Sequence, residues 1–94
     1  MIRSFGNKPT RMVFDRIYAK TFPPDIQRSA LRKLEILNAA VSLDDLRVPP
    51  GNRLEKLSGD RKGQYSIRIN DQYRIIFVWK DGNAYGVEIL DYHS

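Results

Sequence analysis

Gln64-Tyr65-Ser66-Ile67-Arg68-Ile69, then Asn70-Asp71, then Tyr73-Arg74-Ile75-Ile76-Phe77-Val78-Trp79, then Asp81-Gly82-Asn83, then Ala84-Tyr85-Gly86-Val87-Glu88-Ile89-Leu90-Asp91 fill the last third of this 94-residue chain. Tyr65, Ile67 and Ile69 alternate with Gln64, Ser66 and Arg68, the period of two that marks a strand with one buried face. Asn70-Asp71 suits a hairpin turn. Residues 73–79 are apolar apart from Arg74, the composition of a strand in the middle of a sheet. Asp81-Gly82-Asn83 is the stronger turn signal, because Asp-Gly accepts the left-handed backbone of a two-residue hairpin. Three strands in an antiparallel meander follow, ending at Asp91.

Upstream, Arg53 to Leu57 reads as a further short strand, joined to the meander by the turn Ser58-Gly59-Asp60-Arg61-Lys62-Gly63. Ile2 to Phe5 reads as a first strand and Gly6-Asn7-Lys8-Pro9 as a turn. Thr10 is then the expected N-cap of a helix through Met12, Val13, Ile17 and Tyr18. Phe22-Pro23-Pro24-Asp25 breaks that helix. Ile26, Ala30, Leu34, Leu37 and Val41 then recur at intervals of three or four, an apolar stripe at helical period, with Arg28, Arg32 and Glu35 on other faces. Ser42 followed by Asp45 marks a short helical start near Leu43 to Leu46. Arg47-Val48-Pro49-Pro50-Gly51-Asn52 is a loop. The expected architecture is one α+β domain over residues 1–94, in the order β-α-α-β-β-β, with a fourth strand after the helices if Arg53 to Leu57 forms one. A mainly antiparallel twisted sheet packs one face on two N-terminal helices and leaves the other open.

Composition removes several kinds of chemistry. There is no Cys and one His, His93, so thiolate nucleophiles, disulfide frameworks and Cys- or His-built metal sites are excluded. No metal or cofactor is implied. No apolar run approaches the ~18 residues of a membrane span. Residues 1–5 lack the apolar core of a secretory signal, so a cytoplasmic protein without membrane contact is expected. Sixteen Lys/Arg against eleven Asp/Glu give +5, unevenly placed. Residues 1–80 hold all sixteen cations and eight of the acids, a net +8, whereas 81–94 hold Asp81, Glu88 and Asp91 and no cation. A basic body facing a polyanion such as nucleic acid fits that distribution.

The chain ends Asp91-Tyr92-His93-Ser94. Imidazole titrates near pH ~6.5, which suits proton transfer at neutral pH. A carboxylate, a phenol and an imidazole at the end of a strand become a candidate catalytic group if cations share the open face. Arg68 and Arg74 flank the Asn70-Asp71 turn, and Arg61 and Lys62 sit on the loop before them. Such a set fits metal-free phosphodiester cleavage. One group takes the 2′-hydroxyl proton, another protonates the leaving 5′-oxygen, and cations stabilise the charge on phosphorus oxygens. A 2′-hydroxyl nucleophile means RNA. Arg74 has a second reading, as a structural arginine paired with Asp91 or Glu88. Tyr65, Tyr73, Tyr85 and Trp79 read as sheet-packing aromatics, and Tyr92 as the stacking residue.

Leu54-Glu55-Lys56-Leu57-Ser58-Gly59-Asp60-Arg61-Lys62-Gly63-Gln64-Tyr65-Ser66-Ile67-Arg68, with Tyr73-Arg74-Ile75-Ile76-Phe77 and the closing Asp91-Tyr92-His93, resembles the HigB-type, GraT-like toxins of the RelE superfamily, from bacterial type II toxin–antitoxin modules. The resemblance covers nearly the whole chain. It implies a RelE-like fold and a ribosome-dependent endoribonuclease, an mRNA interferase that cuts messenger RNA in the ribosomal A site without metal. It implies as partners the ribosome, mRNA and a helix-turn-helix antitoxin of HigA type, with operator DNA reached only through the antitoxin complex. By position it makes His93, Tyr92, Asp91 and Arg74 catalytic and Arg61 RNA-binding. Lys62 and Arg68 join the RNA-binding set by their charge, Lys56 by its place beside Glu55, and Gln72 as a polar group at the hairpin. Some members carry a second catalytic histidine where this chain has about Glu55, so Glu55, Lys56 or Tyr92 must stand in for it. Two other functions remain open at this level. One is a non-enzymatic toxin of the ParE branch acting on DNA gyrase; the other is a module working mainly in an operon-repressor complex.

Overall fold

The computed structural model describes residues 1–92. Two helices, α1 (Lys8–Phe14) and α2 (Pro24–Ala39), precede a four-stranded sheet of β1 (Glu55–Lys56), β2 (Gln64–Arg68), β3 (Tyr73–Lys80) and β4 (Asn83–Asp91). The order in the sheet is β1-β2-β3-β4 and every neighbouring pair is antiparallel. The expected meander is therefore the observed sheet. The Asp81-Gly82 hairpin has both residues at positive φ, 53° and 78°, as its sequence requires. At the other hairpin Asn70 Oδ1 accepts the N–H groups of Gln72 and Tyr73, closing a longer loop of residues 69–72.

One face of the sheet buries Ile67, Ile75, Phe77, Val87 and Ile89 against Val13, Ile26, Ala30, Leu34 and Leu37 of the helices. Tyr73 is buried in this core against Phe22, and Tyr65 stacks on Phe77, so these aromatics pack the sheet as expected. The apolar stripe of α2 holds from Ile26 to Leu37. Val41 departs from it: the helix ends at Ala39 and Val41 is exposed. Beyond it Asp45 accepts the backbone N–H groups of Val41 (2.9 Å) and Ser42 (3.1 Å), opening the 3-10 turn Leu43–Arg47 where the sequence placed a short helix.

Helix α1 differs from expectation at both ends. Its N-cap is Asn7, whose side chain accepts the N–H of Thr10. Thr10 lies inside the helix, fully buried, and its Oγ1 accepts the N–H of Ile89 at 2.8 Å. The C-terminus comes at Phe14, because Arg16 turns left-handed (φ 63°). Its N–H then reaches Val13 O while the N–H of Ile17 reaches back to Met12 O, a Schellman closure that throws Ile17 and Tyr18 out of the helix.

Ile2 to Phe5 is not a full strand. It makes two isolated parallel bridges to β4, Ile2 to Ala84 and Phe5 to Val87. The segment nevertheless covers the outer edge of β4: Ala84, Gly86 and Val87 donate to Met1 O, Ser4 Oγ and Ser4 O, and Thr10 takes Ile89. An edge so occupied cannot recruit a foreign strand. Gly6 permits the close approach, since a Cβ there would stand 2.9 Å from Gly86 O and 2.6 Å from Glu88 Oε2.

Candidate active site

The pleat of β2 and β3 decides what faces away from the helices. Tyr73, Ile75 and Phe77 are in the core, so Arg74, Ile76 and Val78 project to the opposite face. The pairings Ser66–Ile76, Arg68–Arg74 and Gln64–Val78 bring Ser66, Arg68 and Gln64 to that face as well, and Glu55, opposite Ser66, joins them.

Arg74 stands at the centre of this face. Its Nε donates to Ser66 Oγ at 2.8 Å and its Nη2 to the carbonyl of Arg53 at 2.7 Å. Arg53 adopts a left-handed conformation (φ 44°), which an arginine takes only when neighbouring structure holds it there. Glu55 Oε1 lies 3.6 Å from Nη2, and the ring of Tyr92 lies 5.9 Å from the guanidinium carbon. Two hydrogen bonds, one carboxylate and one aromatic ring fix the plane of a side chain that is 89% buried, its remaining surface (11% exposed) open on this face. Arg74 is thus built in as a structural arginine is, but its partner is Glu55, and neither Asp91 nor Glu88 as the sequence suggested.

A shallow cleft of about 350 Å³ opens beside it, lined by Glu55, Lys56, Leu57, Ser58, Asp60, Arg61 and Tyr92. Arg61 is held at its wall by Gln64 (3.3 Å) and Glu88 (3.8 Å). The cleft therefore gathers Glu55, Lys56, Arg61 and Tyr92 from the expected set, next to Arg74. Other expected residues stand apart from its lining. Arg68 is tied to Asp71 at the hairpin, and Lys62 is exposed at the end of the loop turn. Gln72 does not reach the cleft either. Its Nε2 donates to Asp91 Oδ2 at 3.1 Å and its carbonyl accepts the N–H of Tyr92 at 2.7 Å, so it anchors the end of β4. His93 lies outside the described residues.

One part of the site had no warning in the sequence. Ser66 and the carbonyl of Arg53 orient Arg74, and only the folded chain brings them to it. Lys33 of α2 does not line the cleft. Its Nζ donates to Oδ1 of Asn52, a fully buried amide that also holds the carbonyls of Leu46 and Val48. Burial, then Arg32 and Arg68, push the Lys33 ammonium below the usual lysine range. Among the described residues no cluster of His, Cys, Asp and Glu could hold a metal ion, and no helix is long and apolar enough to cross a membrane.

Residues 4–93 match the model of the RelE-like toxin of type II toxin-antitoxin system HigB. The chain belongs to the HigB-like toxin family. Toxin HigB-1 of Vibrio cholerae is 53% identical over 75 residues, 80% of this chain and 78% of that one. Endoribonuclease HigB of Proteus vulgaris is 29% identical over 93 residues, 99% of this chain and all of that one. In fold, this HigB-like chain resembles the YoeB-YefM complex from Staphylococcus aureus, with a TM-score of 0.63 at 16% identity, covering 100% of this chain and 99% of that one. A YoeB dimer from the same organism gives 0.58 at 18%, covering 99% and 98%. The fold expected from sequence is the fold found. A HigB-like toxin is one half of a toxin–antitoxin pair, so an antitoxin is its partner.

Proposed function

We propose that this chain is an endoribonuclease toxin that cuts mRNA on the ribosome. The observation that carries the reading is Arg74, oriented by Ser66 and Arg53 and set beside Tyr92, Glu55 and Arg61 at the end of the last strand. A fixed guanidinium at an open cleft can stabilise charge developing on a phosphodiester without reorganising. Tyr92 offers a ring on which a base stacks. Arg61 and Lys56 supply phosphate contacts, with Lys62 and Arg68 reached by a longer strand. In the reaction the 2′-oxygen bonds to phosphorus and the 5′-oxygen leaves. One group removes the 2′-hydroxyl proton and another protonates the leaving oxygen, yielding a 2′,3′-cyclic phosphate and a 5′-hydroxyl end. Asp91, Tyr92 and His93 are the groups we assign to proton transfer and its orientation, with Glu55 or Lys56 as the remaining partner. No cofactor enters. So small a chain gains from a ribosome that positions the strand for it. The ribosome, mRNA and a HigA-type antitoxin are the partners, operator DNA is met through the antitoxin complex, and the site of action is the cytoplasm.

The test is a reconstituted translation reaction with mapped 5′ ends. Wild type, His93→Ala and Arg74→Ala proteins are added to programmed ribosomes, with ribosome-free mRNA as control. Cuts within A-site codons that need ribosomes and disappear in His93→Ala are expected. Intact mRNA would sink the enzyme reading and turn attention to DNA gyrase and operator DNA.

A further inference from the structure

The loop that carries Arg53 to Arg74 is built round one buried amide. Asn52 is fully buried, and its Nδ2 donates to the carbonyls of Leu46 at 3.1 Å and Val48 at 3.3 Å. Its own N–H reaches Pro49 O at 2.9 Å, and the N–H of Arg53 reaches Pro50 O at 3.1 Å. These bonds close residues 46–53 on themselves. They do so immediately before the left-handed Arg53, whose carbonyl takes Arg74 Nη2 at 2.7 Å. Asn52 and Arg53 share a peptide plane, so a displacement of the amide is passed to that carbonyl with little room to dissipate.

Lys33 decides which way the amide points. Its Nζ donates to Asn52 Oδ1. An ammonium only donates, so the amide atom facing it must be the oxygen, and the NH2 group is turned toward the two carbonyls. Removing the ammonium would strand a buried acceptor and release that choice. The donor also comes from a fixed platform. Lys33 is half-buried and stands next to Leu34, which is fully buried in the core between α2 and the sheet. A continuous path thus runs from α2 through Asn52 and the Arg53 carbonyl to the guanidinium of Arg74. Neither Lys33 nor Asn52 lines the cleft.

We infer that Asn52 and Lys33 are positioning residues for RNA cleavage, acting through the Arg53 carbonyl on the plane of the Arg74 guanidinium. The inference rests on the endoribonuclease reading, in which Arg74 stabilises charge on the phosphorus oxygens. A group of that kind works by being oriented before the charge appears, so turning it costs rate and leaves binding alone. The loss is partial, because Ser66 Oγ still holds Arg74 Nε at 2.8 Å when the bond to Arg53 is loosened. A role in packing alone would lower stability and spare the rate of the folded protein.

The test measures single-turnover cleavage on programmed ribosomes for wild type, Lys33→Met, Lys33→Arg, Asn52→Asp and Gly82→Ala, each below its own melting transition. Lys33→Met keeps the aliphatic stem and removes the donor. Asn52→Asp keeps the shape and the contact with Lys33 but offers the Leu46 and Val48 carbonyls no donor. Gly82→Ala strains the hairpin at the far end of β3 and serves as a destabilised variant outside the path. At saturating ribosomes the rate should fall between about tenfold and about 10²-fold in Lys33→Met and Asn52→Asp, the scale of a misplaced catalytic group, with the half-saturating concentration unchanged. Lys33→Arg should recover most of the rate, and Gly82→Ala should cut as wild type does. The Arg74 Nε–H resonance gives a readout that needs no ribosome. Its position and solvent exchange should change in Lys33→Met, return in Lys33→Arg and stay put in Gly82→Ala. Wild-type rates in both path variants, or an Arg74 resonance that Lys33→Met leaves untouched, overturns the positioning role while the enzyme reading stands. A raised half-saturating concentration at full rate would overturn it too, and make Lys33 a ribosome contact. If wild-type protein cuts no mRNA, the enzyme reading and the role in cleavage fall together, and the resonance alone still reports whether Lys33 orients Arg74.

Discussion

Two side chains, Arg74 and Thr10, show how single groups serve different ends. Arg74 is largely buried, and Ser66 and the Arg53 carbonyl take two of its donors. Lysine at 74 would keep the charge and lose the planar fork. Arg74→Lys should therefore reduce cleavage on programmed ribosomes about 10²–10³-fold, the scale seen when one oriented donor is lost from a charge-stabilising site. Ser66→Ala should give a smaller loss, with the fold intact by circular dichroism; full activity in both variants would mean that Arg74 is structural only. Thr10 works on stability alone. Its hydroxyl accepts the Ile89 N–H, and the site is buried. Thr10→Val keeps the shape but strands that donor, at a cost of about 1–3 kcal/mol. Urea unfolding should show the drop, and Thr10→Ser should recover most of it.

Among the elements, those set by local chemistry were legible in the sequence. The meander followed from alternation in 64–69, the apolar run 73–79 and the Asp81-Gly82 turn, and α2 followed from the stripe Ile26 to Leu37. What escaped depends on partners distant in the chain. Thr10 has the composition of a cap, yet Asn7 can cap one turn earlier and leaves Thr10 for β4. Ile17 and Tyr18 keep helical spacing after Phe14, but no sequence signal announces an arginine in a left-handed closure. The site was legible as a set of residue types at the chain end and in the Gly59–Gly63 loop; the grip of Ser66 on Arg74 needed the register. Element chemistry also yields a pH test. Backbone N–H groups of Val41 and Ser42 hold the Asp45 carboxyl below its ordinary range. A carboxylate with a depressed folded pKa stabilises the fold above the ordinary value of about 3.9, and that contribution vanishes as pH falls through the lowered one. Asp45→Asn should melt below wild type at neutral pH, and the gap should close in acid; a gap unchanged across the titration would rule out the cap. In the second hairpin, Gly82→Ala at φ 78° should cost about 1–2 kcal/mol, the strain of a left-handed alanine.

At the scale of the whole molecule, residues 1–80 carry a net +8, and a few of their cations line two different concave surfaces. Arg61 and Lys56 line the polar cleft beside Arg74, while Arg28, near Arg32, borders an apolar groove behind the helices. Cations around a polar cleft favour phosphate, and cations around an apolar groove favour carboxylates on an amphipathic chain. The two surfaces should therefore separate in salt. Each cation that displaces counterions from RNA contributes about 0.7 to 1 unit to the slope of log affinity against log salt. Arg61→Ala should flatten the slope of ribosome binding by about that amount and leave the antitoxin complex unchanged. Arg28→Ala should do the reverse. Equal effects of either variant on both partners would show a single undivided positive field, with recognition carried by charge and the two sites merely places where it is strong.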